Sequence, residues 1–357
     1  MEFQVILNKA VRHAASDVFI VSGLPLSYKI NNEIRPMEGE ERLTPERTHA
    51  LIEEIYALAG ARRIERLEQS GDDDFSFSMA GVSRFRVSAY RQRGSLAAVI
   101  RIVTFDLPDP DDLGIPHTVL ELSRKTKGMV LVTGPAGSGK STTLACLIDR
   151  INQTRAAHII TLEDPIEYLH RHKKSIVSQR EISSDTESYV SALRAALRQA
   201  PDVILLGEMR DRETIATAMT AAETGHLVLS TLHTVGAANT IDRVIDAFPP
   251  GQQAQIRVQL SMILQAVVSQ QLIPAVGGGV EPAFEIMLMN GAIRNMIRES
   301  KVHQIDSVIY TSADQGMVSM DASLLALLHQ GRISEQDARD YSTAPELMAK
   351  KIARGGL

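Results

Sequence analysis

The sequence predicts a two-part α/β protein, a small N-terminal α/β module followed by a larger doubly wound α/β domain with a helical C-terminal portion. Three observations predict it. Short apolar or β-branched runs at 129–133, 158–162, 203–206 and 227–231 alternate with helical stretches such as 188–199 and 211–224, as parallel strands buried on both faces do. The first hundred residues carry a different pattern, with strand-like stretches at 17–22, 26–30, 74–78, 83–90 and 96–102 around one helical segment. Between the two patterns, 107–116 holds three prolines and three aspartates and breaks all periodicity.

The elements follow in order. A helix is expected over 45–69 from Leu51, Ile52, Ile55, Leu58, Ile64 and Leu67 at near-helical spacing. Thr44 suits its N-cap and Pro45 its first position, although Arg47 stands where a full capping box needs an acid. The expected domains are 1–105, a linker at 106–117, and 118–357. In the second domain, 143–151 reads as a helix, and Ile256, Leu260, Ile263, Leu264, Val267 and Val268 mark another, amphipathic one. Gly277, Gly278 and Gly279 mark a turn, and the stretch after Met320 reads as helical with a break at 331–334. No internal repeat or low-complexity segment is visible.

Composition narrows the function classes. Thirty-eight Lys and Arg against 43 Asp and Glu leave a net charge of −5, which excludes a generally basic nucleic-acid binder while permitting a local basic groove. Eight Phe, seven Tyr and no Trp weigh against a stacking platform for single strands. The lone Cys146 excludes an intramolecular disulfide framework and a multi-cysteine zinc site; it reads as a small buried apolar residue. No apolar run approaches the ~18 residues that cross a bilayer, and the N-terminus lacks the basic region and cleavage site of a secretory signal. A cytoplasmic protein is expected, touching membrane only through partners.

The strongest chemical signal is Gly134, Pro135, Ala136, Gly137, Ser138, Gly139, Lys140, Ser141 and Thr142, a G-x-x-x-x-G-K-[ST] run placed between a strand and a helix. Its glycines let backbone N–H groups curl around a phosphate, and the helix N-terminus adds partial positive charge. Lys140 suits the β- and γ-phosphates and the Ser141 hydroxyl suits Mg²⁺. A nucleoside triphosphate site follows.

Two apolar strands then end in acids. The 203–206 run leads to Glu208, where a Walker B strand would deliver a carboxylate to the metal, or where a solvated loop would simply begin. The 159–162 run leads to Glu163, Asp164 and Glu167. Three carboxylates beside a phosphate repel one another unless a cation or a reacting water uses them; the alternative is an acidic turn that only caps. His226 and His233 bracket the 227–231 strand. They fit hydrogen bonding to a γ-phosphate or a subunit edge, or a structural pair, better than a metal site, for which no third ligand lies nearby. Arg84, Arg86, Arg91 and Arg93, with Arg101 later, form either a solvated cationic face or a source of charge for a nucleotide on a neighbouring subunit.

In this order and spacing the runs resemble the secretion-ATPase superfamily that powers type II and type IV secretion and type IV pili. They match its Walker A run, its Asp box (IITLEDPIEYLH), its Walker B run (LLGEMRD) and its His box (ETGHLVLSTLHT). AASDVFIVSGLPLSYKINNEIRP and FPPGQQAQIRVQLSMILQAVVSQQLIP are similar to the family's N-terminal and later segments, and AIRNMIRE and GMVSMDASL to its pilus-retraction branch. The chain departs from the family pattern at Phe19, Ala136, Ala200 and Ser230, which marks a divergent member.

The resemblance implies a PAS-like N-terminal domain, a RecA-like P-loop ATPase domain with C-terminal helices, a homo-hexameric ring, and ATP with Mg²⁺. It implies Glu167 as the catalytic glutamate, Glu208 as the Walker B acid sharing the metal with Ser141, and Lys140 and His233 assisting the transfer. Glu163 and His226 would lie at the nucleotide, with Arg86, then Arg101 and Arg91, as the arginines that reach it. The function implied is a motor that retracts type IV pili by disassembling pilin, working against an inner-membrane platform protein and alongside other pilus ATPases. An accessory retraction ATPase, an assembly or secretion ATPase, a nucleic-acid motor and a nucleotide-gated adaptor are the alternatives. The single cysteine and the ~115 residues before the P-loop domain weigh against the secretion ATPases, which commonly carry a four-cysteine zinc module.

Overall fold

The computed structural model describes residues 2–30, 33–60, 62–103 and 105–353. The chain divides into two compact units, Met1–Asp106 with Ile166–Leu169, and Leu107–Pro165 with His170–Leu357.

The first unit runs α1 (Glu2–Arg12), β1 (Asp17–Ile20), β2 (Ser27–Ile30), β3 (Glu33–Pro36), α2 (Pro45–Leu58), α3 (Glu65–Ser70), β4 (Asp72–Met79), β5 (Ser83–Gln92) and β6 (Ser95–Val103). The strands make one antiparallel sheet in the order β3-β2-β1-β6-β5-β4. Strict alternation sets its buried face: Phe85, Val87 and Ala89 point inward from β5 while Arg86 and Ser88 point out. Leu51, Ile52, Ile55 and Tyr56 of α2 complete that core, joined by Phe3, Ile6, Leu7 and Ala10 of α1. The sequence reading did not assign α1. Its apolar residues recur at helical spacing, and Phe3 N donates to Glu54 Oε2 of α2 at 3.0 Å.

Thr44 caps α2 as expected, its hydroxyl accepting from Arg47 N at 3.2 Å, with Pro45 at the first position. The helix expected over 45–69 is two helices. Gly60 in a left-handed conformation (φ 76°) ends the first, and α3 begins five residues later.

The second unit holds α4 (His117–Leu120), β7 (Gly128–Thr133), α5 (Lys140–Thr154), β8 (His158–Glu163), β9 (Ile176–Glu181), α6 (Tyr189–Ala196), β10 (Val203–Leu206), α7 (Arg212–Glu223), β11 (Leu227–Leu232), α8 (Ala237–Asp246) and α9 (Pro250–Ile263). It continues with β12 (Leu264–Pro274), β13 (Val280–Leu288), α10 (Gly291–Arg298), α11 (Ile305–Thr311), α12 (Met320–His329), α13 (Glu335–Asp340) and α14 (Pro345–Ala353). Its sheet has the order β13-β12-β7-β11-β10-β8-β9, parallel except for the β12–β13 hairpin. Apolar clusters lie on both faces, one built on α6 to α9 and the other on α5 and Val119, so β7, β10 and β11 are buried throughout.

Two segments of this unit differ from the sequence reading. The helix expected through Val268 stops at Ile263, and Leu264, Val267 and Val268 lie on strand β12. A strand buried on both faces is apolar at every spacing, so its residues also fit a helical period. The 107–116 stretch, expected as part of a linker, is packed without regular structure: Ile115 is buried, and Leu107 and Leu113 join its cluster. Among the described residues no helix is long and apolar enough to cross a membrane.

Candidate active site

Parallel strands share a direction, so β7, β8, β10, β11 and β12 all deliver their last residues to one edge of the sheet. The Gly134–Thr142 run leaves β7 at that edge and enters α5 with Gly139 as N-cap in a left-handed conformation (φ 85°). Lys140 is 8% exposed, and its Nζ donates to Gly134 O at 2.9 Å and Pro135 O at 2.8 Å. The ammonium is thus held across the loop it belongs to. Ser138 Oγ is buried against Gly134 and, among the described residues, has no hydrogen-bond partner, an orphaned polar atom at the base of the loop. Pro135, Ala136, Gly137 and Ser141 are exposed, and Thr142 is partly so. Backbone N–H groups at a helix start, with a nearly buried ammonium and an orphaned hydroxyl gathered in the same loop, fit an anionic phosphate.

The acids come next along the edge. Gly207 N donates to Leu162 O at 2.8 Å, Thr231 Oγ1 to Gly207 O at 2.6 Å and Met209 N to Thr231 O at 3.2 Å, which fixes Glu208 between β8 and β11. Its carboxylate meets Arg210 Nε at 2.6 Å and His233 Nε2 at 3.4 Å. Glu163 Oε1 accepts from Thr161 Oγ1 at 2.6 Å and Gln179 Nε2 at 3.3 Å. The Tyr189 hydroxyl sits over Gly207, 2.8 Å from where a Cβ would stand. Burial, then the charges of Glu208, Asp164 and Glu163, push its pKa up, so it stays a neutral hydroxyl among acids.

The loop after His233 is tied down. Gly236 N donates to Ser269 Oγ at 2.9 Å, Ala237 N to Glu285 Oε1 at 2.7 Å, and the Thr234 and Thr240 hydroxyls meet at 2.7 Å.

The two histidines part company. His233 follows the last residue of β11 and joins Glu208, whereas His226 precedes the first, with Nδ1 at 2.9 Å from Ala221 O and 3.2 Å from Thr224 Oγ1. The six residues of β11 separate them by roughly 20 Å, so His226 lies at the opposite end of the strand from the phosphate loop. The family resemblance grouped it with the nucleotide; the sequence itself already set the two histidines at opposite ends of one strand.

Glu167 is exposed in Ile166–Leu169, the segment that groups with the first unit. Within that unit Arg86 stands directly opposite Arg101 on the exposed face of β5 and β6. Arg101 Nε donates to the nearly buried Asp17 Oδ1 at 3.0 Å, while Arg86 has no hydrogen-bond or ion-pair partner among the described residues. Arg91 lies five residues along, its Nη2 donating to Glu68 O at 3.1 Å. The structure therefore pairs Arg86 with Arg101 and sets Arg91 apart.

Sequence reasoning passed over Arg210, Tyr189 and Gln270. Of these, Gln270 left a signal as the middle of the polar run Ser269, Gln270 and Gln271 in β12.

A parallel sheet of this order with a phosphate loop after β7 and acids at the ends of β8 and β10 defines a P-loop nucleotide-binding protein. The chain belongs to the type II/IV secretion system protein family, whose profile matches residues 2–330. It is 45% identical over 351 residues to the type IV pilus retractation ATPase PilT of Pseudomonas aeruginosa, covering 97% of this chain and 99% of that one. It is 38% identical over 356 residues to the type IV pilus ATPase PilU of the same organism, covering 99% and 92%. A crystal structure of the pilus retraction motor PilT with bound ADP matches at 47% identity and a TM-score of 0.87, covering 98% of each chain.

Proposed function

We propose that this chain is an ATP-hydrolysing motor of type IV pilus retraction, acting as a ring of six that withdraws pilin subunits toward an inner-membrane platform protein. The observation that carries the reading is that the Lys140 loop and the Glu208–His233 pair follow the same ends of neighbouring parallel strands, in a chain that aligns with the retraction ATPase over almost its whole length. The higher identity to PilT than to PilU favours a principal over an accessory retraction motor.

The loop N–H groups, Lys140 and the start of α5 orient the triphosphate. Glu167 orients the attacking water and accepts its proton. Arg210 and His233 hold the Glu208 carboxylate in place. Arg86, with Arg101 beside it, brings positive charge to the nucleotide of a neighbouring subunit; Arg101 is engaged by Asp17, which leaves Arg86 as the guanidinium of the pair available to an anion. Ser141 and Glu208 are oxygen donors suited to magnesium shared with phosphate, too few for an all-protein cage. Bound there, magnesium supplies charge neutralisation at the phosphates.

We assign 1–105 as the PAS-like domain, 106–117 as its connection and 118–357 as the RecA-like ATPase domain, working in the cytoplasm against the inner face of the membrane through partners. The test is steady-state ATP hydrolysis and oligomer mass of the protein beside Lys140→Ala and Glu167→Gln, with twitching motility of cells carrying each variant. Hydrolysis by a six-subunit species, lost with motility in both variants, supports the motor. A hexamer that binds ATP, matches its variants in turnover and still restores motility refutes it in favour of an adaptor.

A further inference from the structure

Gln270 is 4% exposed in the middle of a buried polar run, Ser269, Gln270 and Gln271, on strand β12. Strand β12 pairs with β7 as far as Ser269 opposite Thr133, and Gln270 comes next, level with Gly134 where the phosphate loop begins. Three contacts follow from that position. Gln270 Oε1 accepts from Thr143 Oγ1 at 2.7 Å, in the first turn of α5. Its backbone carbonyl lies so close to Gly134 that a Cβ there would collide with it. Its Nε2 stands 2.9 Å from where a Cβ on Gly139 would be. One residue thus touches the first glycine of the loop, the last glycine, and the helix that the loop feeds.

We infer that Gln270 is a positioning residue of the nucleotide site, holding the span between Gly134 and the first turn of α5 so that the loop N–H groups and Lys140 face the phosphates together. The inference rests on the reading of this loop as a nucleotide site. The side chain acts through Thr143 and Gly139 and does not itself reach the reacting atoms. An apolar residue of the same volume would fill the space but could not accept from Thr143. Gln270 acts on the span of the loop and leaves the Lys140 ammonium in place, so its loss weakens nucleotide binding more than it lowers turnover at saturation.

The experiment compares wild type with Gln270→Met, Thr143→Val and the double variant in the full-length protein. It measures the Kd of a fluorescent ATP analogue, the KM and kcat of hydrolysis, and thermal melting. Gln270→Met should raise Kd and KM about tenfold, leave kcat within about twofold, and melt within a few degrees of wild type. Thr143→Val should do the same, and the double variant should be no worse than either, because the two act as one unit. Wild-type Kd in Gln270→Met with a lowered melting temperature would show a merely structural amide and overturn the inference, as would independent, multiplying losses in the double variant. A wild-type protein that fails to bind the analogue would instead overturn the nucleotide reading, and the inference with it.

Discussion

Alanine at Arg86 and alanine at Arg101 are expected to fail in different ways, although the two arginines stand opposite each other on neighbouring strands. Asp17 is 8% exposed at its side chain and accepts from Arg101 Nε at 3.0 Å and from Ser16 Oγ at 2.8 Å. Stripping the partner from a fully buried charge costs about 3–5 kcal/mol, and from an exposed one about 0–1 kcal/mol. Arg101 is itself 66% exposed and Ser16 remains, so Arg101→Ala should cost about 1–2 kcal/mol. For a unit of this size that lowers its melting temperature by roughly 5–15 °C. Among the described residues Arg86 has no partner to abandon, so stability should hold within about 0.5 kcal/mol. Its loss should instead appear in turnover, by about a hundredfold, the scale of one charge stabiliser in a phosphoryl-transfer site. Arg91→Ala serves as the control for both. Calorimetry and steady-state hydrolysis of the three variants decide the matter. Arg86→Ala with full turnover, or Arg101→Ala with unchanged melting, refutes the assignment.

Gly139→Ala should weaken nucleotide binding at least tenfold in an equilibrium titration, because φ 85° disfavours a side chain by about 1–2 kcal/mol and the new Cβ meets Gln270 Nε2 at 2.9 Å. Glu208→Gln removes the charge that Arg210 and His233 share and should lower kcat about a hundredfold with little change in KM; the reverse split would contradict its placement. In the first unit, burial would raise the Asp73 pKa, but hydrogen bonds from Arg62 and Tyr56 outweigh it and hold the pKa below the usual carboxylate value. The stability this contributes is fully present above the unfolded value of about 4 and is lost as pH falls toward the depressed folded value; melts from pH 7 to pH 2 should show that slope and lose it in Asp73→Asn. Burial pushes the Cys146 thiol up to about 12, so alkylation at pH 8 should proceed only after unfolding.

The phosphate loop was legible because its chemistry demands fixed residues at fixed spacing between a strand and a helix, and Gly134 to Ser141 supply them. The central strands were legible for a related reason, since only a strand covered on both faces is apolar at every position for four to six residues. That uniformity also hid β12, whose apolar residues satisfy a helical period as well as an extended one. Helix α1 escaped notice because its apolar side is only five residues, Phe3, Ile6, Leu7, Ala10 and Val11, and β3 because all four of its residues are exposed. At the site, Glu208 and His233 could be placed at strand ends, but their pairing depends on which strands are neighbours, and β10 beside β11 is a matter of topology. The same topology brings Gln270 to the phosphate loop from more than a hundred residues away.

Helix α9 passes into strand β12 with no loop between them: Ile263 ends the helix and Leu264 begins the strand in an extended conformation (φ −61°, ψ 133°). The last carbonyls of the helix, Ser261 O and Met262 O, are both taken by Arg294 Nη1 of α10. A loop absorbs displacement by rotating a few free dihedrals; here the slack is confined to one irregularity, the shift in register between Leu264 and Ala266 where β12 joins β7. Helix α9 and the sheet are coupled through that single point, much as a rod is coupled to a plate by one hinge pin.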